Sequence, residues 1–170
     1  MERRQVISLL GLAGVASLTA APDSDRFPGI YKLVSWKSTN ADGTVVEPLG
    51  ADPIGRITYH KSGHMSVQLM RRDRKPLPRL DIQTASIDEL RAGLRTAQGG
   101  TAGGFIAYMG TYEVQADRHI VIHHLEGGSS PAFSGQDFER RYELTDKGLN
   151  LSAPPNFDSN KLVWDRVANA

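Results

Sequence analysis

Residues 104–126 read GFIAYMGTYEVQADRHIVIHHLE, and this stretch decides the fold. Two runs rich in β-branched and aromatic residues flank a short polar segment at 116–117, which is the pattern of a β-hairpin. The hairpin also holds His119, His123 and His124, which are three of the five histidines in the chain. We therefore expect any pocket chemistry of this protein to involve the hairpin.

Short strands separated by turn residues continue in both directions from the hairpin. Apolar alternation and turn signals predict further strands at 29–36, 44–47, 54–60, 64–71, 137–144, 149–153 and 161–167, which makes nine in all. One helix is predicted over 87–98, because Ser86 and Glu89 have the spacing of a capping box. Strands and helices do not alternate, so the pattern favours an all-β antiparallel barrel or sandwich over an α/β fold.

The first 21 residues have the form of an export signal. Arg3 and Arg4 precede an apolar run at 6–18, and small residues follow it. The run is too short to span a bilayer comfortably, and the paired arginines suggest the twin-arginine route or the Sec route. We expect an exported protein, periplasmic or secreted, in which 1–21 is the signal and 22–170 is a single domain. No stable membrane anchor is expected after the signal is removed.

Composition and charge exclude several classes of function. The chain has 170 residues, enough for one domain with a core, and it has no cysteine for disulfide or thiolate chemistry. Of its 20 basic and 19 acidic residues, the signal holds Arg3, Arg4 and Glu2, so 18 of each remain. A domain with no net charge and no basic stripe does not suit nucleic acid.

Several stretches of the chain resemble the lipocalin-like domain family, a group of calycin-type β-barrels. These stretches are GIYKLVS at 29–35, PLGADPIGRITYHKSGHMSVQLMRRDR at 48–74, YMGTYEV at 108–114, HHLEG at 123–127, RRYEL at 140–144 and LVWDR at 162–166. The resemblance spans roughly 27–167 and implies a closed up-and-down barrel of about 8–10 antiparallel strands with one short helix and a central cavity. Some relatives in the wider calycin group bind apolar molecules and others are cyclases, isomerases or dehydratases, so the resemblance bears on fold more than on activity.

The chain departs from the family pattern near its first strand. Related sequences open with Gly-x-Trp, whose ring closes the barrel floor against an arginine of a late strand. Here Tyr31 follows Gly29 in place of that tryptophan, and Arg166 is the matching cation. We expect Tyr31 and Arg166 to stack as a structural pair.

The two faces of the hairpin differ in what they could do. With a two-residue turn at 116–117, Gly110 would lie opposite His123 and leave room beside its imidazole. One face then carries Tyr108, Tyr112 and His123 among apolar residues. The other face also combines apolar residues with polar and charged ones. A slip of one residue would exchange the faces, so their orientation stays open. We favour the His123 face for the lumen, because imidazole and phenols on an apolar wall can orient a ligand or move a proton.

Strand geometry argues against a metal site in the hairpin. His119 and His123 lie on one face but about 13 Å apart at the rise of a strand, and His123 and His124 point to opposite faces. The glycine-rich stretch 99–104 lacks the Lys-Ser/Thr of a phosphate loop, and no Gly-x-Ser-x-Gly elbow is present. We therefore expect no metal and no cofactor.

Three functional hypotheses follow from these residues. In the first, the barrel binds a small apolar or aromatic molecule in its lumen. The candidate ligand-binding residues are Tyr59, Val67, Tyr108, Tyr112, His123 and Arg140. In the second, the protein is a cofactor-free isomerase, cyclase or dehydratase, with His123 as general acid or base and Tyr108 or Tyr112 as hydrogen-bond donor. In the third, His123 is only a hydrogen-bonded core residue and the barrel is an interaction module.

Arg140 and Arg141 point to opposite faces, so one of them could enter the lumen and hold an anionic group. The sequence gives no indication of the oligomeric state.

Overall fold

The computed structural model describes residues 22–74, 83–89, 103–153 and 158–169. The elements are α1 (Asp23–Arg26), β1 (Gly29–Thr39), β2 (Val45–Val46), β3 (Ile54–Tyr59), β4 (His64–Met70), β5 (Phe105–Gln115), β6 (Ile120–Gly128), a 3-10 helix (Pro131–Phe133), β7 (Asp137–Leu144), β8 (Gly148–Ser152) and β9 (Asn160–Ala168). In this part of the chain no helix is long and apolar enough to cross a membrane. The predicted export signal lies outside the described residues.

Eight of the strands close into an antiparallel barrel. Each strand from β3 to β8 pairs with the next one along the chain, β1 pairs with β3, and β1 also pairs with β9 to close the ring. The two-residue strand β2 is an addition on the far end of β1. The predicted all-β closed barrel is confirmed, and the sandwich alternative is excluded because the sheet has no second layer.

The predicted helix over 87–98 is described over its first turn. Residues 87–89 are helical, and the capping box is present. The backbone amide of Ser86 donates to Oε2 of Glu89 at 2.8 Å, and the amide of Glu89 donates to Oγ of Ser86 at 3.3 Å. The remainder of the predicted helix lies outside the described residues.

The hairpin formed by β5 and β6 places the His123 face inward. Tyr108, Val121, His123 and Leu125 are buried, whereas Met109 is 59% exposed. Successive side chains of a strand point to opposite sides of the sheet, so burial of this set assigns the whole face to the interior. The favoured orientation of the hairpin is therefore confirmed.

The register of the hairpin differs from the prediction. Gln115 pairs with Ile120, so the connection has four residues rather than two, and His119 adopts a positive φ of 52° within it. Tyr112, not Gly110, lies opposite His123. A shift of two residues keeps every side chain on its own face, which is why the faces were predicted correctly from a wrong turn.

Gly110 has a structural role that the sequence did not reveal. It pairs with Leu125 at a β-bulge, so that Met109 pairs with Gly127. A Cβ built on Gly110 would overlap the carbonyl oxygen of His124 and approach the amide nitrogen of Glu126 to 3.0 Å. The prediction that Gly110 leaves room beside the imidazole is wrong, because its missing side chain makes room for the backbone of β6.

One end of the barrel is plugged by aromatic side chains and by Arg166. Its guanidinium lies 4.6 Å from the centroid of the Tyr31 ring, donates to the Tyr31 hydroxyl, and donates to the carbonyl of Pro28 at 2.8 Å. Tyr31 in turn donates to the carbonyl of Phe27 at 2.7 Å, and Phe27 is fully buried. The predicted stack of Tyr31 on Arg166 is thus observed, and it closes the barrel at this end.

Candidate ligand-binding site

A cavity of about 360 Å³ lies inside the barrel, away from the plugged end. Its walls are mostly aromatic and aliphatic, and they come from strands all around the barrel and from the 3-10 helix. The lining residues are Trp36, Ile57, Val67, Leu69, Ile106, Tyr108, Phe133, Phe138, Arg140, Leu151, Ala153, Asn160, Leu162 and Trp164. The volume lies within the range of cavities that hold small molecules.

A row of three hydrogen-bonded side chains lies between the cavity and the plug. The hydroxyl of Tyr59 is 2.7 Å from Nε2 of His123, and the hydroxyl of Tyr108 is 3.2 Å from Nδ1. His123 is fully buried, so a neutral imidazole donates through one nitrogen and accepts through the other. The strands β3, β5 and β6 are therefore tied together across the interior by a polar contact as well as by apolar packing.

Burial keeps all three of these groups neutral. It lowers the pKa of His123 well below its usual value, and the positive charge of Arg140 acts in the same direction. Burial raises the pKa of Tyr59 well above the usual range, and it raises the pKa of Tyr108 against the opposing influence of Arg140. A desolvated group favours its uncharged form, so the row carries no charge at neutral pH.

The structure divides the predicted site residues into three groups. Val67, Tyr108 and Arg140 line the cavity. Tyr59 and His123 are buried beneath Tyr108 and touch the cavity through it. Tyr112 lies toward the plugged end, where its hydroxyl donates to the carbonyl of His60 at 3.1 Å and its ring stacks on Phe27. The second phenol on His123 is therefore Tyr59 rather than Tyr112.

Several cavity residues were missed by sequence reasoning. Trp36 and Asn160 are 124 positions apart, yet the indole Nε1 of Trp36 donates to Oδ1 of Asn160 at 2.6 Å. The indole Nε1 of Trp164 is buried without a hydrogen-bond acceptor among the described residues. The inward position of Trp164 could have been found from its alternation with Arg166, whereas Phe133 lies in a one-turn 3-10 helix whose sequence has no periodic signal.

In the described part of the chain, no group of three or more histidine, aspartate or glutamate side chains is placed so that it could hold a metal ion. His60 and His64 flank the turn from β3 to β4, and both hydrogen-bond to Oγ of Ser62, at 2.8 and 2.9 Å. His124 lies on the outer face and pairs with Asp137 at 2.7 Å. These histidines are therefore engaged at the surface rather than directed into the lumen.

A closed antiparallel barrel with an internal, mostly apolar cavity defines a class of proteins built to hold small molecules. Within that class the chain belongs to the lipocalin-like domain family, whose model matches residues 28–167. Comparison with curated proteins gives no match. The family membership covers the complete barrel, from the residue before β1 to near the end of β9.

The neutral state of His123 predicts a specific dependence of stability on pH. The unfolded chain takes up a proton at this histidine below about pH 6.5, but the folded chain does not, because burial lowers its pKa. The free energy of unfolding should therefore be highest above that pH and fall by up to about 1.4 kcal/mol per pH unit below it. Urea unfolding between about pH 7 and about pH 5 measures this slope.

Two variants separate His123 from the other titrating groups in that experiment. His123→Gln should remove its part of the slope, while Val34→Ala, at an exposed position that does not titrate, should leave the slope unchanged. Equal slopes in the wild type and in His123→Gln would contradict a neutral, buried imidazole.

Proposed function

We propose that the protein is an exported carrier that binds a small, largely apolar molecule in the lumen of its barrel. The observation that supports this most strongly is the cavity of about 360 Å³, which is lined mainly by aromatic and aliphatic side chains. Apolar surface of this kind gains free energy when it is covered by an apolar ligand, at roughly 25 cal/mol per Å². Five of the lining residues are aromatic, which suits a flat or flexible hydrocarbon body.

The polar row beneath the cavity favours binding over turnover. Both ring nitrogens of His123 are already hydrogen-bonded, and the imidazole has no exposed surface. A general acid or base must reach the proton that it transfers, directly or through one water. Tyr108 separates His123 from the cavity. A structural role for His123, in which it holds Tyr108 in the cavity wall, accounts for these contacts.

The cavity also weighs against a barrel that serves only as an interaction module. Protein interiors are normally filled to crystal-like density, and a domain without a ligand has no need of a large internal void. The cavity is instead bordered by Arg140 and Asn160, which can orient a guest within an otherwise apolar chamber.

Export is the second part of the proposal. The charged start, the apolar run at 6–18 and the small residues after it support a signal, and the family match starts later, at residue 28. Native mass spectrometry of the protein from cell envelope and medium of its own source tests both parts together. We expect a mass that lacks about the first 21 residues and an added small-molecule mass that is lost on denaturation. A full-length mass confined to the cytosol would refute export.

Filling the lumen should abolish binding without unfolding the barrel. Ala153 is buried and lines the cavity, so Ala153→Phe places a ring in the space that a ligand would occupy. We expect the affinity for 1-decanol, a neutral apolar probe, to fall at least about tenfold. Both tryptophans of the chain, Trp36 and Trp164, line the cavity, so intrinsic fluorescence reports on occupancy directly.

Val34→Phe is the matched control for the lumen-filling variant. It adds the same ring at a position on β1 that is 45% exposed. This variant should bind 1-decanol as the wild type does. Unchanged binding in Ala153→Phe, with both variants melting as folded proteins, would exclude the lumen as the site.

A further inference from the structure

A cationic side chain enters the apolar cavity from β7. Phe138, Arg140 and Tyr142 alternate along the inner face of this strand, and Phe138 and Arg140 line the cavity. Arg140 is half-buried, and it lies opposite the fully buried Val121 of β6. Its outward neighbour Arg141 is exposed and pairs with Asp158 at 3.3 Å. The two arginines thus occupy opposite sides of one wall.

Arg140 lacks a counter-charge among the described residues. Its guanidinium donates from Nη1 to the carbonyl of Glu139 at 2.8 Å and lies 5.0 Å from the centroid of Phe138, and it also acts as a hydrogen-bond partner of the Tyr108 phenol. In the described part of the chain no carboxylate lies within 4.0 Å of its guanidinium nitrogens. A guanidinium has five N–H donors in a planar fork that fits two oxygens of a carboxylate, so the contacts with Glu139 and Tyr108 leave donors for a ligand as far as the described residues are concerned.

A hydroxyl group lies beside this cation. The Arg140 guanidinium is close enough to Tyr108 to act on the pKa of its phenol, and Tyr108 also lines the cavity. His123 holds the same hydroxyl from the other side. Arg140 and Tyr108 therefore form a small polar corner in a chamber whose other walls are mainly apolar.

A cation in an apolar chamber is costly unless an opposite charge approaches it. We propose that the lumen takes an amphipathic anion, an apolar body carrying a carboxylate, with Arg140 binding the carboxylate and the aromatic walls covering the body. This inference rests on the proposed carrier function and narrows its ligand class. The inference depends on the position of one positive charge, that of Arg140. It therefore predicts tighter binding of anionic ligands than of neutral or cationic ligands of equal size.

A series of three probes with one chain length tests the inference. Decanoate, 1-decanol and decylamine carry a negative charge, no charge and a positive charge on the same ten-carbon body. Tryptophan fluorescence and isothermal titration calorimetry at neutral pH and low salt give the three affinities. We expect decanoate to bind roughly 10- to 100-fold more tightly than 1-decanol, and decylamine to bind most weakly.

Variants on β7 assign the preference to one side chain. Arg140→Gln should weaken decanoate by roughly 10- to 100-fold and 1-decanol by a much smaller factor, because only decanoate loses charged hydrogen bonds. Arg141→Gln makes the same chemical change on the outer face and should leave all three affinities as in the wild type. Arg140→Lys keeps a cation and should retain part of the preference for decanoate.

The outcomes distinguish the inference from the proposed function. If decanoate and 1-decanol bind equally to the wild type, or if Arg140→Gln leaves decanoate unchanged, the anionic ligand is refuted and the apolar carrier remains. If none of the three probes binds, both are refuted. The comparison within the wild type needs no variant, so it holds even if Arg140→Gln fails to fold.

Discussion

Replacing His123 by alanine is expected to lower the free energy of unfolding by about 3 to 5 kcal/mol, a large share of the stability of a domain of this size. The imidazole is fully buried, so its removal leaves a void that the surrounding barrel wall closes only partly. The change also leaves the hydroxyls of Tyr59 and Tyr108 without their partner in the interior. Each buried hydroxyl that loses its hydrogen bond costs roughly 1 to 3 kcal/mol. Urea unfolding followed by fluorescence measures the loss.

His124→Ala is the control, because His124 is the next residue on the same strand and points to the other side. Its side chain is 39% exposed and its pairing partner Asp137 is 65% exposed. Surface pairs of this kind contribute about 0 to 1 kcal/mol, so this variant should stay close to the wild type. A similar loss in both variants would show that the strand, rather than the buried row, carries the effect.

The order of the strands and the face of each one could be predicted because both depend on neighbours along the chain. Alternation of period two needs no knowledge of the partner strand, and it placed His123 and His124 on opposite faces. The inward direction of the His123 face was favoured because of the phenols and apolar residues that share it, and burial agrees with that choice. The pairing of Tyr31 with Arg166 was also accessible, since the family resemblance linked the first strand to the last. These features are local or are carried by recognisable motifs.

Register could not be predicted in the same way, because it depends on the geometry of a turn. His119 takes a positive φ that non-glycine residues seldom adopt, and this allows a four-residue connection where the composition indicated two residues. The β-bulge at Gly110 arises because the backbone of β6 lies unusually close to the backbone of β5. Neither effect leaves a trace in hydrophobic alternation.

The candidate site shows the same limit. The alternation of Arg140 and Arg141 established that one of them faces inward, but only the pairing of Arg140 with Val121 selects which one. Asn160 lies next to Trp36 because β9 closes the barrel against β1. Contacts made by barrel closure join distant parts of the chain, so they follow from topology and not from local pattern.

Gly110→Ala is expected to destabilise the barrel by at least about 2 kcal/mol, because the added methyl group meets backbone rather than a flexible side chain. At this position a Cβ overlaps the carbonyl oxygen of His124, and that carbonyl belongs to the strand that carries His123. The bulge lets two steps along β5, from Gly110 to Tyr108, span three along β6, from Leu125 to Gly128. Relief of the clash must move β6 or close the bulge, and either movement shifts Tyr108 relative to its partner His123. Loss of stability should therefore be accompanied by weaker binding of 1-decanol.

Gly127→Ala provides a stringent comparison, since Gly127 belongs to the same bulge and pairs with Met109. A Cβ built there has no atom within 4 Å, and its φ is not among the positive ones. Alanine at this position restricts the unfolded chain without a clash in the folded one, so stability should change by less than about 1 kcal/mol. Thermal and urea unfolding of both variants decide the matter. If Gly110→Ala is as stable as Gly127→Ala and binds 1-decanol equally well, the close approach of the two strands does not position Tyr108 beside His123.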